Sequence, residues 1–507
     1  MAQYLINYLE RKSKINKEIY GNFTEHLGRC IYDGIWVGKD SVIPNINGVR
    51  KDIIDAFKGI KVPVLRWPGG CFADQYHWKD GIGPIEQRKR IVNKTWGNAV
   101  EDNSFGTHEF MDMCEEIGCD AYIAGNLATG SIQEMLDWIE YITGDGDSEM
   151  ANLRRKNGRE KPWKLTYFGI GNEVWGCGGE MMPDYYINQY RQAYHFLSQK
   201  GFMTSGNLKF IASGPGSDDY EWTDKVTDGL TTQTYCMSQI KKDPLMDGLS
   251  FHHYVFGGDG YFDLRRARDF DDKEWYDIIR KAAETEELII RHDTVMTRHD
   301  PEKKVGLMID EWGSWYGSEE GTNPAFLFQQ NTMCDAVIAA VYLNIFNKHS
   351  DRIKLATIAQ AVNVLQSVVL TEGEKMILTP TYYVFDLFKK HQDATLLGSY
   401  IERREIGVEE AKVNNLFESS SIDADGNVTA TICNTSIDSP EQIDTTLFGA
   451  EVESVKARIL TQDAHACNTF EEPENVVIED FDVTCSGNRI NFEIPAGSVV
   501  ELSIKVK

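Results

Sequence analysis

The sequence predicts a (β/α)8 TIM barrel followed by a C-terminal β-sandwich, jelly-roll-like, domain. Three observations predict it. Between residues 18 and 385, short β-rich runs alternate with stretches of helical periodicity, the pattern of parallel βα units. Over residues 386–507 the apolar period changes to two, as antiparallel strands with one buried face require. The length of 507 residues, 42% of them apolar and 11% aromatic, accommodates a large barrel with a companion domain and is too apolar for a disordered chain.

The elements follow in chain order. The run from Tyr4 to Tyr8, within residues 1–17, precedes the barrel and is a candidate extra strand of the sandwich, which makes the small domain discontinuous. Candidate barrel strands cover residues 18–25, 62–67, 120–126, 165–173, 209–213, 248–254, 305–311 and 355–360. A helix is expected from Thr107, with Phe110, Met111, Cys114 and Ile117 on one side, so Cys114 reads as a buried apolar residue. Ser131 and Glu134 form the sequence signature of a capping box, and Ile132, Met135, Leu136, Ile139 and Ile142 follow at helical spacing. In the tail, Asp425-Gly426 signals a turn before Val428, Ala430 and Ile432. Ile490, Phe492 and Ile494, then Val500, Leu502, Ile504 and Val506, repeat the alternation. The acidic residues between 471 and 482 read as a solvated face.

The charge balance excludes some functions. With 52 Lys+Arg against 78 Asp+Glu the formal charge is −26, which argues against nucleic acid or an anionic membrane as the main partner. The first 17 residues mix Gln3, Asn7, Glu10, Arg11, Lys12 and Lys14 with apolar residues, so no signal peptide is expected. No apolar run reaches the roughly 18 residues of a membrane span. The ten cysteines form no CxxC pair, so neither a zinc knuckle nor a dense disulfide frame is indicated, and a reducing cytoplasm is the expected location.

Catalytic residues of such a barrel come from the carboxyl ends of its strands. Those ends read Thr24-Glu25-His26, Arg66-Trp67-Pro68-Gly69-Gly70, Gly171-Asn172-Glu173, His252-His253-Tyr254, Asp310-Glu311-Trp312-Gly313 and Gln360. Two glutamates at opposed ends, Glu173 and Glu311, suit glycoside hydrolysis, in which one carboxyl protonates the leaving oxygen and the other attacks the anomeric carbon or activates water. The bland alternative is that both cap the helices after their strands. Arg66 is placed to hold an ionised carboxylate, or merely to brace the rim by an ion pair. His252 and His253 lack a companion in a ligand pattern, so no metal and no cofactor are expected; a hydrogen bond from His252 to one of the glutamates is the better reading. Asp310 should point to the side of its strand opposite Glu311 and act as a structural acceptor. Cys71 and Cys177 have no histidine base beside them, which disfavours a thiol nucleophile. Trp96, Trp175, Trp312 and Trp315 are either core residues or sugar-stacking surfaces.

In this setting the chain resembles the α-L-arabinofuranosidases of glycoside hydrolase family 51. The resemblance rests on Phe23-Thr24-Glu25-His26-Leu27-Gly28-Arg29, Arg66-Trp67-Pro68-Gly69-Gly70 continuing to Tyr76, Trp78, Asp80 and Gly83-Pro84, and Asn103 with Phe105-Gly106 and Glu109-Phe110-Met111. It continues through Gly171-Asn172-Glu173, His252 with Tyr254, Asp310-Glu311-Trp312, and Ile358-Ala359-Gln360 with Asn363-Val364. It spans the barrel in order and is weak in the sandwich.

The resemblance implies a retaining, exo-acting α-L-arabinofuranosidase with Glu173 as general acid/base and Glu311 as nucleophile, their carboxyl groups about 5 to 5.5 Å apart. It also implies that Glu25, Arg66, Asn172, Tyr254 and Gln360 contact the furanose or position the nucleophile, with Trp96 and Trp315 as aromatic walls. Some relatives carry asparagine where this chain has Cys71, and a thiol is a weaker partner for a sugar hydroxyl. The implied substrate is an arabinofuranosyl oligosaccharide derived from arabinan or arabinoxylan, and the implied assembly a homo-oligomer, a hexamer by analogy. A β-xylosidase or endo-β-glucanase with the same machinery, and a carbohydrate-binding protein with a vestigial site, are the alternatives.

Overall fold

The computed structural model describes residues 1–198, 208–232 and 243–507; Cys236 lies outside them. Eight parallel strands close into a barrel in chain order: Gly21–Phe23, Val64–Trp67, Asp120–Gly125, Tyr167–Ile170, Lys209–Ala212, Gly248–Phe256, Gly306–Trp315 and Ile353–Ala359. They are called strands one to eight below. All eight predicted strands are present. Buried on both faces, such strands read as near-continuous apolar runs, which is why the sequence exposed them. Val64, Tyr122, Tyr167, Ile211, Met308 and Leu355 form a separate apolar cluster contributed by strands two, three, four, five, seven and eight. This cluster packs the barrel interior as a plug rather than a pore.

The helix Met333–Lys348, between strands seven and eight, is buried from Met333 to Asn347. A helix that is apolar on all sides needs cover all round. The barrel gives it on one side, and the C-terminal sheet on the other, where Asn347 Nδ2 donates to Ser419 Oγ (3.0 Å) and Asn344 Oδ1 accepts from Thr431 Oγ1 (2.8 Å). Trp275 fastens the same seam by donating from its indole to Thr435 O at 2.9 Å.

The C-terminal sheet has ten strands. One of them comes from the amino terminus: Ala2–Lys14 pairs antiparallel with Thr395–Ile401 and parallel with Glu441–Phe448. The predicted turn at Asp425-Gly426 joins Leu416–Ile422 to Val428–Asn434, with Gly426 at φ +85°. Tyr4, Ile6, Ile432, Ile443, Phe492 and Leu502, from strands spread across the sheet order, share one core, so the sheet curls over itself as a sandwich does.

Two helices test local reading. Thr107–Ile117 buries Phe110, Met111, Cys114 and Ile117 as expected. Ile132–Thr143 starts where expected, and Ser131 Oγ accepts from Glu134 N at 3.0 Å. The capping box is only half formed, because the Glu134 carboxylate turns to His77 Nδ1 at 3.1 Å, a tertiary partner that local sequence does not reveal. Among the described residues no helix is long and apolar enough to cross a membrane.

Candidate active site

The carboxyl ends of the strands surround a cavity of about 600 Å³ lined by Glu25, Trp96, Glu173, His252, Tyr254, Glu311, Trp315 and Gln360, among others. Arg66 and Asn172 lie just behind its wall and are almost wholly buried. The residues offered by the sequence as acid/base, nucleophile and substrate contacts therefore converge on one end of the barrel.

Glu311 is held on strand seven by two donors from different strands. Arg66 Nη1 donates to Oε1 at 2.8 Å, and the Tyr254 hydroxyl donates to Oε2 at 2.8 Å. The guanidinium also donates from Nη2 to Asn172 Oδ1 at 2.5 Å and stacks over the Phe23 ring at 4.5 Å. A planar fork with several fixed donors suits this division better than a lysine would. Burial works against the Arg66 charge, but Asp310, Tyr122 and Glu311 outweigh it and hold the group above its ordinary range.

Gly69 and Gly70 are explained here by space. A Cβ on Gly70 would stand 2.5 Å from Glu311 Oε1, and one on Gly69 2.7 Å from Glu25 Cγ. The predicted turn thus lets backbone press against two carboxylates.

Glu173 is not at the end of a strand. Strand four stops at Ile170, and Glu173 sits in the following turn at φ +39°, left-handed backbone that non-glycine residues rarely adopt. The turn is pinned by Gly176 N and Gly178 N, which donate to Glu173 O at 2.7 and 3.1 Å, and by Asn172 N, which donates to Asp74 Oδ2 at 3.1 Å. Neither glutamate caps the helix after its own strand: the helix after strand four begins at Pro183 with Met182 at its N-cap, and that after strand seven at Met333 with Thr332.

His252 joins the two glutamates. Its Nδ1 donates to Glu173 Oε1 at 2.8 Å and lies 3.6 Å from Glu311 Oε2, while Nε2 donates to Asp310 Oδ1 at 3.1 Å. Burial pushes His252 down, but the charges of Glu311 and Asp310 and its two hydrogen bonds prevail and lift it to about 10. It is an imidazolium at neutral pH. The bond predicted from His252 is present.

Asp310 departs from expectation. It does not turn away from the site: it faces inward, accepting from the Tyr122 hydroxyl at 2.7 Å and lying 3.5 Å from Arg66 Nε. Met308 faces the barrel interior, and alternation carries Asp310 to the same side, where it is an acceptor as expected; the register shift of strand seven against strand eight between Ile309 and Trp312 is what lets the adjacent Glu311 reach the site as well. Burial pushes Asp310 up, but Arg66 and His252 overcome it and keep the group below the usual carboxylate range.

Glu25 accepts from Gly70 N, Phe72 N, Trp96 Nε1 and Gln360 Nε2, at 3.0, 3.1, 3.0 and 3.0 Å. Burial and the Glu311 charge nevertheless raise it to about 7. Trp315 sets its ring edge-on to Tyr254 at 5.1 Å. Of the other tryptophans, Trp312 is core, whereas Trp175 is 37% exposed at the cavity mouth.

The thiol reading of Cys71 is corrected, because Cys71 and Cys177 form a disulfide across a sequence separation of 106. Their sulfurs stand 3.6 and 3.3 Å from Glu173 Oε2. Disulfide sulfurs carry no proton, so these are contacts and not hydrogen bonds. Among the described residues Glu173, His252 and Glu311 bring one ligand atom each within 4.8 Å of one another, the span of a cation site, but here His252 is bonded to Glu173 and Arg66 to Glu311.

Sequence reasoning missed Asp74 and Tyr122, the bond between Cys177 and Cys71, and the cavity residues Phe256 and Tyr261. Asp74 takes backbone N–H bonds from Leu127, Ala128 and Asn172 at 2.8, 3.0 and 3.1 Å, and so fixes the Glu173 turn. No local pattern marks it.

Comparison with known proteins assigns the family. Residues 56–243 match the model of the alpha-L-arabinofuranosidase 1 domain, and residues 310–498 that of the alpha-L-arabinofuranosidase C-terminal domain. An intracellular exo-alpha-L-arabinofuranosidase of Bacteroides ovatus is 44% identical, over 97% of this chain and 94% of that protein. The crystal structure of a GH51 arabinofuranosidase from Xanthomonas axonopodis pv. citri superimposes with a TM-score of 0.95 at 39% identity, covering 99% of both chains. The α-L-arabinofuranosidase of Thermotoga maritima, solved as an arabinose complex, gives a TM-score of 0.82 at 30% identity over the full length of both. The protein belongs to the α-L-arabinofuranosidases of glycoside hydrolase family 51.

Proposed function

We propose that the protein is a retaining, exo-acting α-L-arabinofuranosidase that removes terminal α-L-arabinofuranosyl residues from oligosaccharides, with Glu311 as nucleophile and Glu173 as acid/base. The observation that carries the mechanism is the meeting of both carboxylates at His252, with an oxygen of each within 4.8 Å of the other. Retaining enzymes hold their carboxyl groups about 5 to 5.5 Å apart, whereas inverting ones leave roughly 6.5 to 9.5 Å for a water.

In the first step Glu311 attacks the anomeric carbon, the glycosidic C–O bond breaks, and the leaving oxygen takes a proton from the Glu173–His252 pair. In the second, Glu173 removes a proton from water, which displaces Glu311 and restores the starting configuration. Arg66 and Tyr254 aim the attacking carboxylate, each holding one of its oxygens. Arg66 also orients the Asn172 amide, leaving its Nδ2 unpartnered, and Gln360 Oε1 is likewise unpartnered. Such buried orphans cost free energy until a ligand satisfies them, and sugar hydroxyls are fitting partners. Trp96 and Trp315 supply apolar faces for the sugar.

The exo assignment and action inside the cell draw support from the name of the Bacteroides relative, an intracellular exo-alpha-L-arabinofuranosidase. Initial rates on aryl α-L-arabinofuranoside, aryl β-D-xylopyranoside and soluble β-glucan, with wild type and Glu311→Ala in parallel, test the proposal. Cleavage of the arabinofuranoside alone, lost in the variant, is expected. Preference for another substrate overturns the specificity, and no turnover at all favours a binding protein.

A further inference from the structure

The disulfide joins the two loops that frame Glu173. Cys71 follows Gly70 in the loop after strand two, and Cys177 lies four residues beyond Glu173 in the turn after strand four. Glu173 is in left-handed backbone, a conformation that persists only where the surroundings over-determine it. The disulfide is one of its restraints. Both of its sulfurs are set against Glu173 Oε2, while His252 engages the other oxygen.

Opening the bond changes the chemistry at that oxygen. Two proton-free sulfurs become two thiols, weak donors already 3.3 and 3.6 Å from Oε2. A donor to a carboxylate favours its charged form and occupies the oxygen through which a proton would pass to the leaving group. We propose that the Cys71–Cys177 disulfide is a redox-responsive positioning element for the acid/base: closed, it keeps Glu173 poised to donate, and opened, it weakens proton donation. The inference rests on the acid/base reading of Glu173. Disulfides inside cells are most often redox-sensing or catalytic rather than structural.

The opening step balances with a dithiol as reductant. Its thiolate attacks the Sγ of Cys177, the exposed partner, forming a mixed disulfide and releasing Cys71 as a thiolate that takes a proton. The second thiol of the reductant then closes on its own bound sulfur and releases Cys177. The reductant leaves as a cyclic disulfide, and two electrons and two protons have passed to the protein.

The test compares oxidised enzyme with enzyme reduced by dithiothreitol, the opening being verified by titration of two additional thiols. Two substrates are used: an arabino-oligosaccharide, whose alkoxide leaving group needs a proton, and 2,4-dinitrophenyl α-L-arabinofuranoside, whose leaving group does not. Reduction should lower kcat/KM on the oligosaccharide by about tenfold or more and on the dinitrophenyl substrate by less than about threefold, because acid assistance acts on poor leaving groups. Reoxidation should restore the rate, and the Cys71→Ala/Cys177→Ala double variant should be insensitive to dithiothreitol.

Equal losses on both substrates, no loss with both thiols titrated, or a bond that dithiothreitol does not open under native conditions each overturn the inference; these arms use wild type and need no variant to fold. Glu173→Ala separates the two levels of the argument. If it retains activity on the oligosaccharide, the acid/base reading itself fails. If it loses that activity while reduction changes nothing, only the redox inference fails.

Discussion

Replacing His252 with alanine probes both the chemistry and the stability of the site. His252 is 6% exposed, and its two nitrogens meet Glu173 at 2.8 Å and Asp310 at 3.1 Å. A hydrogen bond to a charged group contributes about 1.5 to 3 kcal/mol, so releasing Glu173 should lower kcat/KM by about 10- to 150-fold. Asp310, 1% exposed, also loses its imidazolium partner but keeps Arg66 and the Tyr122 hydroxyl, so the cost in stability should be that of a hydrogen bond to a charged group, about 1.5 to 3 kcal/mol.

The pH dependence has a definite sign. His252 stands at about 10 in the folded protein against an ordinary 6.5, so its stabilisation is complete below about 6.5 and is lost as pH rises through about 10. Urea unfolding of wild type and variant between pH 6 and pH 10 should therefore show a gap that narrows with rising pH. A gap that widens, or kcat/KM unchanged in the variant, refutes the reasoning.

Three further outcomes are expected. Gly70→Ala would bring a methyl 2.5 Å from Glu311 Oε1, and the displaced carboxylate should cost about 100-fold in kcat on aryl arabinofuranoside; a rate within about threefold of wild type contradicts the packing argument. Arg66→Lys keeps the charge and loses the fork that serves Glu311 and Asn172 together, so kcat/KM should fall by about 10-fold or more, and a fully active lysine variant would show that charge alone suffices. Removal of the amino-terminal strand Ala2–Lys14 takes a central strand from the C-terminal sheet and exposes two unpaired edges, so the shortened chain should aggregate on expression. Soluble, cooperatively unfolding product would show the strand to be dispensable.

The barrel was legible because strands buried on both faces announce themselves as apolar runs, and because polar residues collect just after them. Where alternation is interrupted, legibility ends. The register shift after Ile309 let Glu311 and its neighbour Asp310 both reach the site, where strict alternation would have separated them, and the +39° φ of Glu173 placed the acid/base candidate in a turn three residues past its strand. The Cys71–Cys177 bond joins positions 106 residues apart, a separation at which spacing carries no information. Glu134 shows the same limit on a smaller scale: its position promised a cap, and His77, 57 residues away, took its carboxylate instead. Local physics identified the element types, and tertiary contacts decided the particular bonds.

The most direct test of the double displacement is to trap its intermediate. Glu173→Ala enzyme, given 2,4-dinitrophenyl α-L-arabinofuranoside, needs no proton donor for the first step and lacks the base for the second, so a glycosyl-enzyme should accumulate. Intact-mass spectrometry should find one added pentosyl unit per chain, and peptide mapping should place it on Glu311. Turnover without any adduct, releasing arabinose of inverted configuration, would contradict the account, as would an adduct on any residue other than Glu311.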